Sequence, residues 1–212
     1  MKFDPHDVPP REFYRHMVSC ITPRPIAWVS TVSPNGMPNL APFSFFNGVG
    51  AHPPSVVFCP TNYRDGRKKD TLVNVEWSRQ FAVNIVSHRL AEAMNQTSAE
   101  LDYEDSEFAH AGLTPIPCER IKPPRVKEAS VAMECELHAI VTVGDGPLAG
   151  HAVIGRIVLL HVADDVLDPK GQIDPAKLDT IGRMGGSLYT RTRDRFDMPR
   201  PELPPSSTDQ KR

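Results

Sequence analysis

The sequence has little cysteine and no long apolar run. Its 212 residues include four cysteines, Cys20, Cys59, Cys118 and Cys135, and none of them forms a C-x-x-C pair. This spacing argues against a zinc ribbon, a thioredoxin-type motif and a disulfide-stapled secreted scaffold. The first ten residues, MKFDPHDVPP, lack the apolar core of a signal peptide, and no stretch of 18 apolar residues occurs. We therefore predict a cytoplasmic protein with reduced thiols and no membrane association.

Neither sign of charge is in excess. Lys and Arg total 24 against 26 Asp and Glu, a net charge of -2, so the composition favours neither nucleic acid nor an anionic membrane as a partner. The absence of G-x-x-x-x-G-K-S/T and of a G-x-G-x-x-G after a strand argues against a P-loop or Rossmann nucleotide site. The eight histidines include no H-x-x-x-H pair, so a zinc hydrolase has no support and we predict no metal site.

Proline, by contrast, is abundant, with 22 residues, which indicates short elements with stiff connections. Turn signals separate strand-like runs at 25–32, 37–46, 55–60, 80–86, 130–143 and 151–164. Helical spacing predicts helices over 70–78 and 88–98. Together these patterns predict a mainly antiparallel barrel with short helices outside it. We predict one domain over residues 1–198 and a polar, proline-rich, disordered tail over 199–212.

The second strand of the first hairpin contains Pro42 together with Asn39 and Ser44. A central strand does not tolerate proline, because proline removes one donor from the hydrogen-bond ladder. This strand is therefore either a sheet edge or a segment whose backbone and hydroxyl groups serve something other than strand pairing.

The segment YRDGRKKDT at 63–71 places Arg64, Arg67, Lys68 and Lys69 on a glycine-containing loop that leads into a helix. Asp70 is the predicted N-cap of that helix. Free backbone N–H groups, the positive end of the helix dipole, the Thr71 hydroxyl and the cations would converge on one anion, most naturally a phosphate. The same composition is typical of a solvated basic loop, and the residues alone leave both interpretations open.

Other clusters of reactive side chains are weak, and we assign no catalytic residue. His16 and Cys20 lie four apart, but no nearby carboxylate would orient them. The acidic stretch Asp102 to Glu107 is interpreted as a solvated loop rather than an acid/base pair.

Five segments, PRPIAWVST, NLAPFSFF, KDT, FAVNIV and RMGGSLY, together resemble the flavin reductase-like family with the FMN-binding split barrel, over roughly residues 10–197. The resemblance implies a six-stranded antiparallel Greek-key split barrel that forms a homodimer. It also implies one FMN per subunit, bound in a groove at the subunit interface. An isoalloxazine ring needs hydrophobic walls beside unpaired backbone groups, and a strand broken by proline offers both.

By match to the family, Ser30 and Thr31 would face the flavin or its ribityl chain, and Asn84 would be a ribityl contact or a structural residue. Lys69 and Thr71 of the KDT segment, which includes Asp70, would bind the phosphate together with Arg67. Residues 41–45 would line the ring with backbone groups and a wall. These five residues are Ala41, Pro42, Phe43, Ser44 and Phe45. Arg183, Gly185, Gly186 and Tyr189 match the family's C-terminal segment, which either returns to the flavin or forms a glycine-rich turn with a packed tyrosine.

The resemblance implies a flavin reductase that transfers hydride from NADH or NADPH to the flavin. The reduced flavin would then either leave to supply a monooxygenase or stay bound and pass electrons on. The rival is an electron carrier of the flavoredoxin type that binds FMN and serves a redox partner without its own NAD(P)H site. A split-barrel protein that has lost its flavin is a third alternative, against which the KDT and APFS segments count. The arginines at 191, 193 and 195 either contact the phosphates of a dinucleotide or form a solvated surface.

Overall fold

The computed structural model describes residues 1–201, and positions 202–212 of the predicted tail lie outside the described residues. The predicted domain boundary at residue 198 stays a prediction. The strands are β1 Ala27–Val32, β2 Pro38–Phe43, β3 Phe46–Ala51, β4 Pro54–Phe58, β5 Gln80–Ile85, β6 Pro115–Ile116, β7 Arg125–Val126, β8 Val131–Val143, β9 Gly150–Val162, β10 Ile181–Arg183 and β11 Tyr189–Arg191. The α-helices are α1 Pro10–Cys20, α2 Asp70–Ser78, α3 Ala91–Gln96, α4 Glu107–His110 and α5 Pro175–Leu178, with 3₁₀ turns at His88–Leu90 and Asp164–Val166.

Seven strands form one antiparallel sheet in the order β2-β1-β5-β8-β9-β4-β3. Strand β5 returns beside β1 rather than beside β4, which precedes it in the chain, and this return is the predicted Greek-key crossover. Two further sheets of two strands each, β10-β11 and β6-β7, lie apart from the main sheet. The mainly antiparallel fold with short flanking helices is confirmed.

The main sheet closes on itself. Strands β2 and β3 stand at opposite ends of the strand order, yet only Ser44 and Phe45 separate them in the chain. A connection of this length spans about 10 Å at most, so the two ends of the sheet lie side by side. The predicted run 37–46 covers β2 and only the first residue of β3, so β3 is a strand that the prediction lacked, and the main sheet has seven strands rather than six.

The strands bury apolar side chains on both of their faces. Alternate residues of β1 point to opposite sides, so Ala27 and Val29 join one core cluster and Trp28 joins another. The first cluster includes Phe58, Phe81 and other side chains of β2, β4, β5, β8 and β9. The second packs the outer face of the sheet against α3, α4 and the loop segments around 113–129.

Phe81 in the first cluster depends on a glycine of the neighbouring strand β9. A Cβ atom built on Gly155 would lie 2.3 Å from Cζ of Phe81, closer than real Cβ contacts allow. The aromatic ring therefore occupies the space that any side chain at position 155 would need.

The predicted helix at 70–78 is confirmed, with one correction at its start. Asp70 is the first helical residue, and Lys69, with φ -67° and ψ 148°, is the N-cap. The predicted helix at 88–98 is shorter than expected, because it begins as the 3₁₀ turn and ends as α3 at Gln96.

Candidate functional site

The N-terminus of α2 is open to an anion. Among residues 1–201, no acceptor contacts the backbone N–H of Asp70 or of Thr71, since the first intrahelical donor is Leu72. Thr71 is buried, and its Oγ1 accepts a hydrogen bond of 3.0 Å from Nδ2 of Asn39 on β2. The hydroxyl proton of Thr71 therefore stays available for a further acceptor. Two backbone donors and one hydroxyl donor thus meet at the positive end of the helix dipole.

Lys69 supplies an unpaired cation at the same point. Its Nζ lies 3.9 Å from the centroid of the Tyr63 ring, and no carboxylate in the described part of the chain pairs with it within 4.0 Å. Burial lowers the pKa of the Lys69 amine, and the charges of Glu100 and Asp70 partly oppose that shift. Burial likewise raises the pKa of the Asp70 carboxyl. A bound anion would give the Lys69 ammonium the partner that it lacks.

The loop that carries Tyr63 and Lys69 rests on the β8–β9 hairpin. Asn62 donates its backbone N–H to the carbonyl of Ala149 at 2.9 Å and its Nδ2 to the carbonyl of Gly146 at 2.9 Å. This amide orientation leaves Asn62 Oδ1 as an acceptor, 2.8 Å from Nε2 of buried His151. Nε2 of His151 therefore carries a proton, and burial lowers the pKa of the ring, which favours the neutral form in which Nδ1 accepts from the hydroxyl of Thr142 at 3.1 Å.

Strand β2 is an edge of the main sheet, which explains how it accommodates Pro42. The backbone N–H of Leu40 and the carbonyls of Leu40 and Pro42 point away from β1. The N–H of Leu40 shows this orientation, because it donates to Oε2 of Glu107 at 2.9 Å rather than to β1. Ser106 donates its hydroxyl to the carbonyl of Pro38 at 2.7 Å on the same edge. Pro42 has no N–H to donate, so its position on the open edge leaves no donor unsatisfied.

A second recess continues from this edge toward the C-terminal segment. It is lined by Ile26, Pro42, Ser44, Met94, Ser98, Arg183 and Tyr189. Ser44 Oγ accepts a hydrogen bond of 3.3 Å from Nε of Arg24. The Arg183 guanidinium lies 4.6 Å from the centroid of the Tyr189 ring and donates to the Tyr189 hydroxyl and to the carbonyl of Gly186.

The recess and the α2 end form one groove. The pocket at the α2 end is lined by Asn39, Ala41, Pro42, Phe43, Tyr63, Lys69, Asp70, Thr71, residues 97–100 and Glu107. It shares Pro42 and Ser98 with the recess. We call the whole feature the edge groove, with a cationic end at Lys69 and Thr71 and a recess end at Ser44 and Arg183.

The structure brings nine of the fourteen predicted site residues to the edge groove. They are Ala41, Pro42, Phe43, Ser44, Lys69, Asp70, Thr71, Arg183 and Tyr189. Arg67 lies outside it, because its exposed guanidinium pairs with Asp65 at 2.7 Å. Phe45 also lies outside, with its ring 6.4 Å from that of Tyr14 and 5.9 Å from the Arg24 guanidinium.

Ser30, Thr31 and Asn84 are fully buried, and none of them lines the groove. Ser30 donates to the carbonyl of Pro124 at 2.5 Å and accepts from Asn84, whose Oδ1 accepts from the N–H of Val126. The hydroxyl oxygen of Thr31 accepts from Asn74 on α2. All three side chains thus have hydrogen-bond partners inside the protein. For Asn84 this agrees with the structural role that was the alternative to a ribityl contact.

Several groove residues were not predicted from the sequence, because no motif marks them as ligand contacts. Asn39 and Tyr63 sit inside the quoted segments but were not assigned, and Met94 and Ser98 come from the neighbourhood of α3. The interpretation of 102–107 as a solvated loop agrees with the exposed Asp102, Glu104 and Asp105 but is wrong for Glu107, because only 7% of its surface is exposed. The acidic loop folds back onto β2, and a single sequence does not show that long-range contact.

Two arginines, one at the end of β11 and one just after it, are engaged by a carboxylate. Arg191 and Arg193 both donate to Asp179, the latter with Nε 2.9 Å from Oδ1. These bonds hold the pKa of the Asp179 carboxyl at about 2, below its usual range. We call these three residues the arginine clamp. It ties the segment after β11 to the residues that follow α5.

No group of three or more His, Cys, Asp or Glu side chains among residues 1–201 is arranged to hold a metal ion. No helix in the same range is both long and apolar enough to cross a membrane.

The fold and the groove define a class: an antiparallel split barrel with a groove along an open strand edge that ends at a helix N-terminus and a lysine. The model of the flavin reductase like domain matches residues 18–181. This match spans more than half of the chain, so the chain belongs to the flavin reductase-like family, as the resemblance implied.

Similar proteins of known sequence or structure agree with this assignment. An uncharacterized protein of Aquifex aeolicus is 41% identical over 178 residues, covering 84% of this chain and 89% of that one. Nitrilotriacetate monooxygenase component B from Bacillus cereus superposes with a TM-score of 0.88 at 35% identity, covering 93% of this chain and 98% of that one. The 2-nitrobenzoate 2-nitroreductase NbaA of Pseudomonas fluorescens gives a TM-score of 0.85 at 31% identity, covering 98% and 100%.

Proposed function

We propose that this chain binds FMN in the edge groove and catalyses its reduction by NADH or NADPH. The observation that carries the proposal is that one groove joins an unpaired cation at a helix N-terminus to a proline-broken strand edge. FMN has the matching two-ended chemistry, with a dianionic phosphate at one end and a flat, mostly apolar ring with a polar rim at the other. Family membership supports the same assignment.

The cationic end fits a phosphate group. The free N–H groups of Asp70 and Thr71, the Thr71 hydroxyl and the Lys69 ammonium offer four donors to phosphate oxygens. The groove also contains carboxylates, so the phosphate would bind between Lys69 and the helix rather than deeper beside Glu107.

The recess end fits the ring. Ile26, Pro42 and Met94 supply an apolar wall, while the Ser44 hydroxyl and the Arg183 guanidinium offer polar groups for the ring's rim. The carbonyl of Pro42 points away from β1, so it is a further acceptor that strand pairing leaves free.

FMN, when bound, supplies the chemistry of accepting a hydride. The chain's own residues bind and orient the ring and exclude water from it, and no side chain in the groove needs to act as an acid or a base. The likeness to a monooxygenase component from Bacillus cereus supports the further proposal that the reduced flavin serves a monooxygenase partner.

We also propose a homodimer. The two parts of the groove enclose about 200 and 110 Å³, each below the roughly 300 Å³ at which ligand pockets usually begin. One chain would therefore leave much of a flavin uncovered. Val73 and Trp77 stand exposed on α2, the helix whose N-terminus forms the cationic end, and offer apolar surface to a second chain. Sedimentation is the direct measurement, and a 23.5 kDa monomer that retains FMN would overturn the dimer.

A second candidate function is an FMN-binding electron carrier without an NAD(P)H site. The arginine clamp favours it, because Asp179 already engages Arg191 and Arg193. These side chains are then not free to bind the phosphates of a dinucleotide.

Absorbance spectroscopy of the purified protein separates the candidates. Flavin bands that bleach on anaerobic addition of NADH or NADPH would support the reductase. Flavin bands that stay oxidised with both nucleotides would support the carrier, and no binding of added FMN would overturn both.

A further inference from the structure

Glu107 is a buried carboxylate without a cationic partner. Its residue surface is 7% exposed, and it lines the edge groove. Its Oε2 accepts one hydrogen bond, from the N–H of Leu40 at 2.9 Å, and no Lys, Arg or His among residues 1–201 pairs with it within 4.0 Å. Burial raises the pKa of the Glu107 carboxyl.

Capping the strand edge does not account for the charge of Glu107. A glutamine would accept the Leu40 N–H equally well, without the cost of burying an anion. A carboxylate has about four acceptor sites and no donor, so sites remain that face the groove. Whatever occupies that part of the groove should bring hydrogen-bond donors.

The point at which Glu107 contacts β2 indicates which donors these are. Leu40, to which Glu107 is bonded, follows Asn39, which contacts Thr71 at the cationic end. Leu40 also lies two residues before Pro42, which lines both the pocket at the cationic end and the recess end. Glu107 lines the same pocket as Lys69, Thr71 and Pro42, so a ligand that spans from phosphate to ring would bring its linking chain to this carboxylate, and in FMN that linker is a polyhydroxylated ribityl chain.

We propose that the Glu107 carboxylate accepts hydrogen bonds from the ribityl hydroxyls and so selects flavins that carry this chain. The assignment rests on the proposed function and adds a specificity-determining residue to it. Three ligands separate the parts of the site: FMN has phosphate and ribityl chain, riboflavin lacks the phosphate, and lumiflavin lacks both.

The test is Glu107→Gln, which keeps the Leu40 acceptor and the volume of the side chain. Replacing a charged acceptor by a neutral amide should weaken FMN and riboflavin binding alike by about 5-fold, and lumiflavin binding should not change. Glu104→Gln is the matched control, since it removes the same charge from an exposed residue outside the groove lining.

An acid titration distinguishes a ligand contact from a purely structural role, because a purely structural role would not change the pH dependence of riboflavin affinity. Protonation removes an acceptor, so the affinity for riboflavin should fall as the pH drops through the raised pKa of Glu107, and this dependence should vanish in Glu107→Gln. Asp70 and His110 act on the pKa of this carboxyl, and burial and, to a smaller extent, the Glu107 charge raise the pKa of Tyr63 in the same pocket. Asp70 raises and His110 lowers the pKa of Glu107, and both remain in the variant.

Three results would overturn the assignment. Tighter FMN binding with unchanged riboflavin binding would show that Glu107 acts only as a charge opposing the phosphate. Equal losses for all three ligands, with a lowered melting temperature, would show that it only caps β2. A riboflavin affinity that does not depend on the carboxylate would exclude the hydroxyl contact. In each case wild-type FMN binding stands, whereas a wild-type protein that binds no flavin refutes the proposed function itself.

Discussion

Replacing Lys69 by alanine tests the phosphate assignment most directly. The Lys69 ammonium has no carboxylate within salt-bridge distance among the described residues, and it faces the groove beside two free N–H groups. A charge-assisted hydrogen bond to phosphate contributes roughly 1.5–3 kcal/mol, so Lys69→Ala should weaken FMN binding by about 10- to 100-fold. Thr71→Val removes only a neutral hydroxyl and should cost about 1 kcal/mol.

The assay is fluorescence or calorimetric titration with FMN and with riboflavin, which lacks the phosphate. Lys69→Ala should leave riboflavin affinity nearly unchanged. Lys68→Ala is the matched control, because the neighbouring Lys68 pairs with Glu76 at 2.7 Å and does not line the groove. Equal losses for FMN and riboflavin, in a variant with normal thermal stability, would refute the assignment of this end of the groove to the phosphate.

Three further predictions concern stability. Gly155→Ala forces a Cβ into the ring of Phe81, so chemical denaturation should show a loss of about 1–3 kcal/mol, and an unchanged midpoint would contradict this packing. Burial lowers the pKa of His151, so the neutral form is favoured on folding and stability should decline as the pH falls below about 6.5. The decline should be smaller in His151→Gln, and an identical pH profile would exclude this contribution. The pKa of Asp179 lies at about 2, so the clamp's contribution should persist to about pH 4 and disappear on further acidification. Thermal melts of Asp179→Asn should lack that acid-dependent step.

The sequence predicts the elements of the fold well because their signals are local. The hairpin turn at 33–36, the helix at 70–78 and the two long strands follow from residue types within a few positions of each other. Closure of the sheet does not, because it depends on the break at Ser44 and Phe45, where the chain passes from β2 to β3 at the opposite end of the strand order.

The residues of the candidate site likewise divide into those that local motifs predict and those that only long-range contacts reveal. Lys69, Thr71 and Pro42 belong to motifs, and the structure brings them to one groove. Glu107 reaches that groove through a contact with Leu40, 67 positions away, which a single sequence does not reveal. The assignment of Ser30 to the flavin rests on the resemblance alone, and a single sequence does not show whether this polar side chain meets a ligand or a covering segment. Here residues around Pro124 cover it.

The open edge of β2 has a consequence for self-association. An exposed strand edge is a template on which a strand of another molecule can add, and this leads to aggregation. Here Ser106 occupies the carbonyl of Pro38, Glu107 occupies the N–H of Leu40, and Pro42 offers no donor. An incoming strand would find no continuous ladder to join. The features that keep this edge available to a small molecule thus also protect the chain against edge-to-edge polymerisation at high concentration.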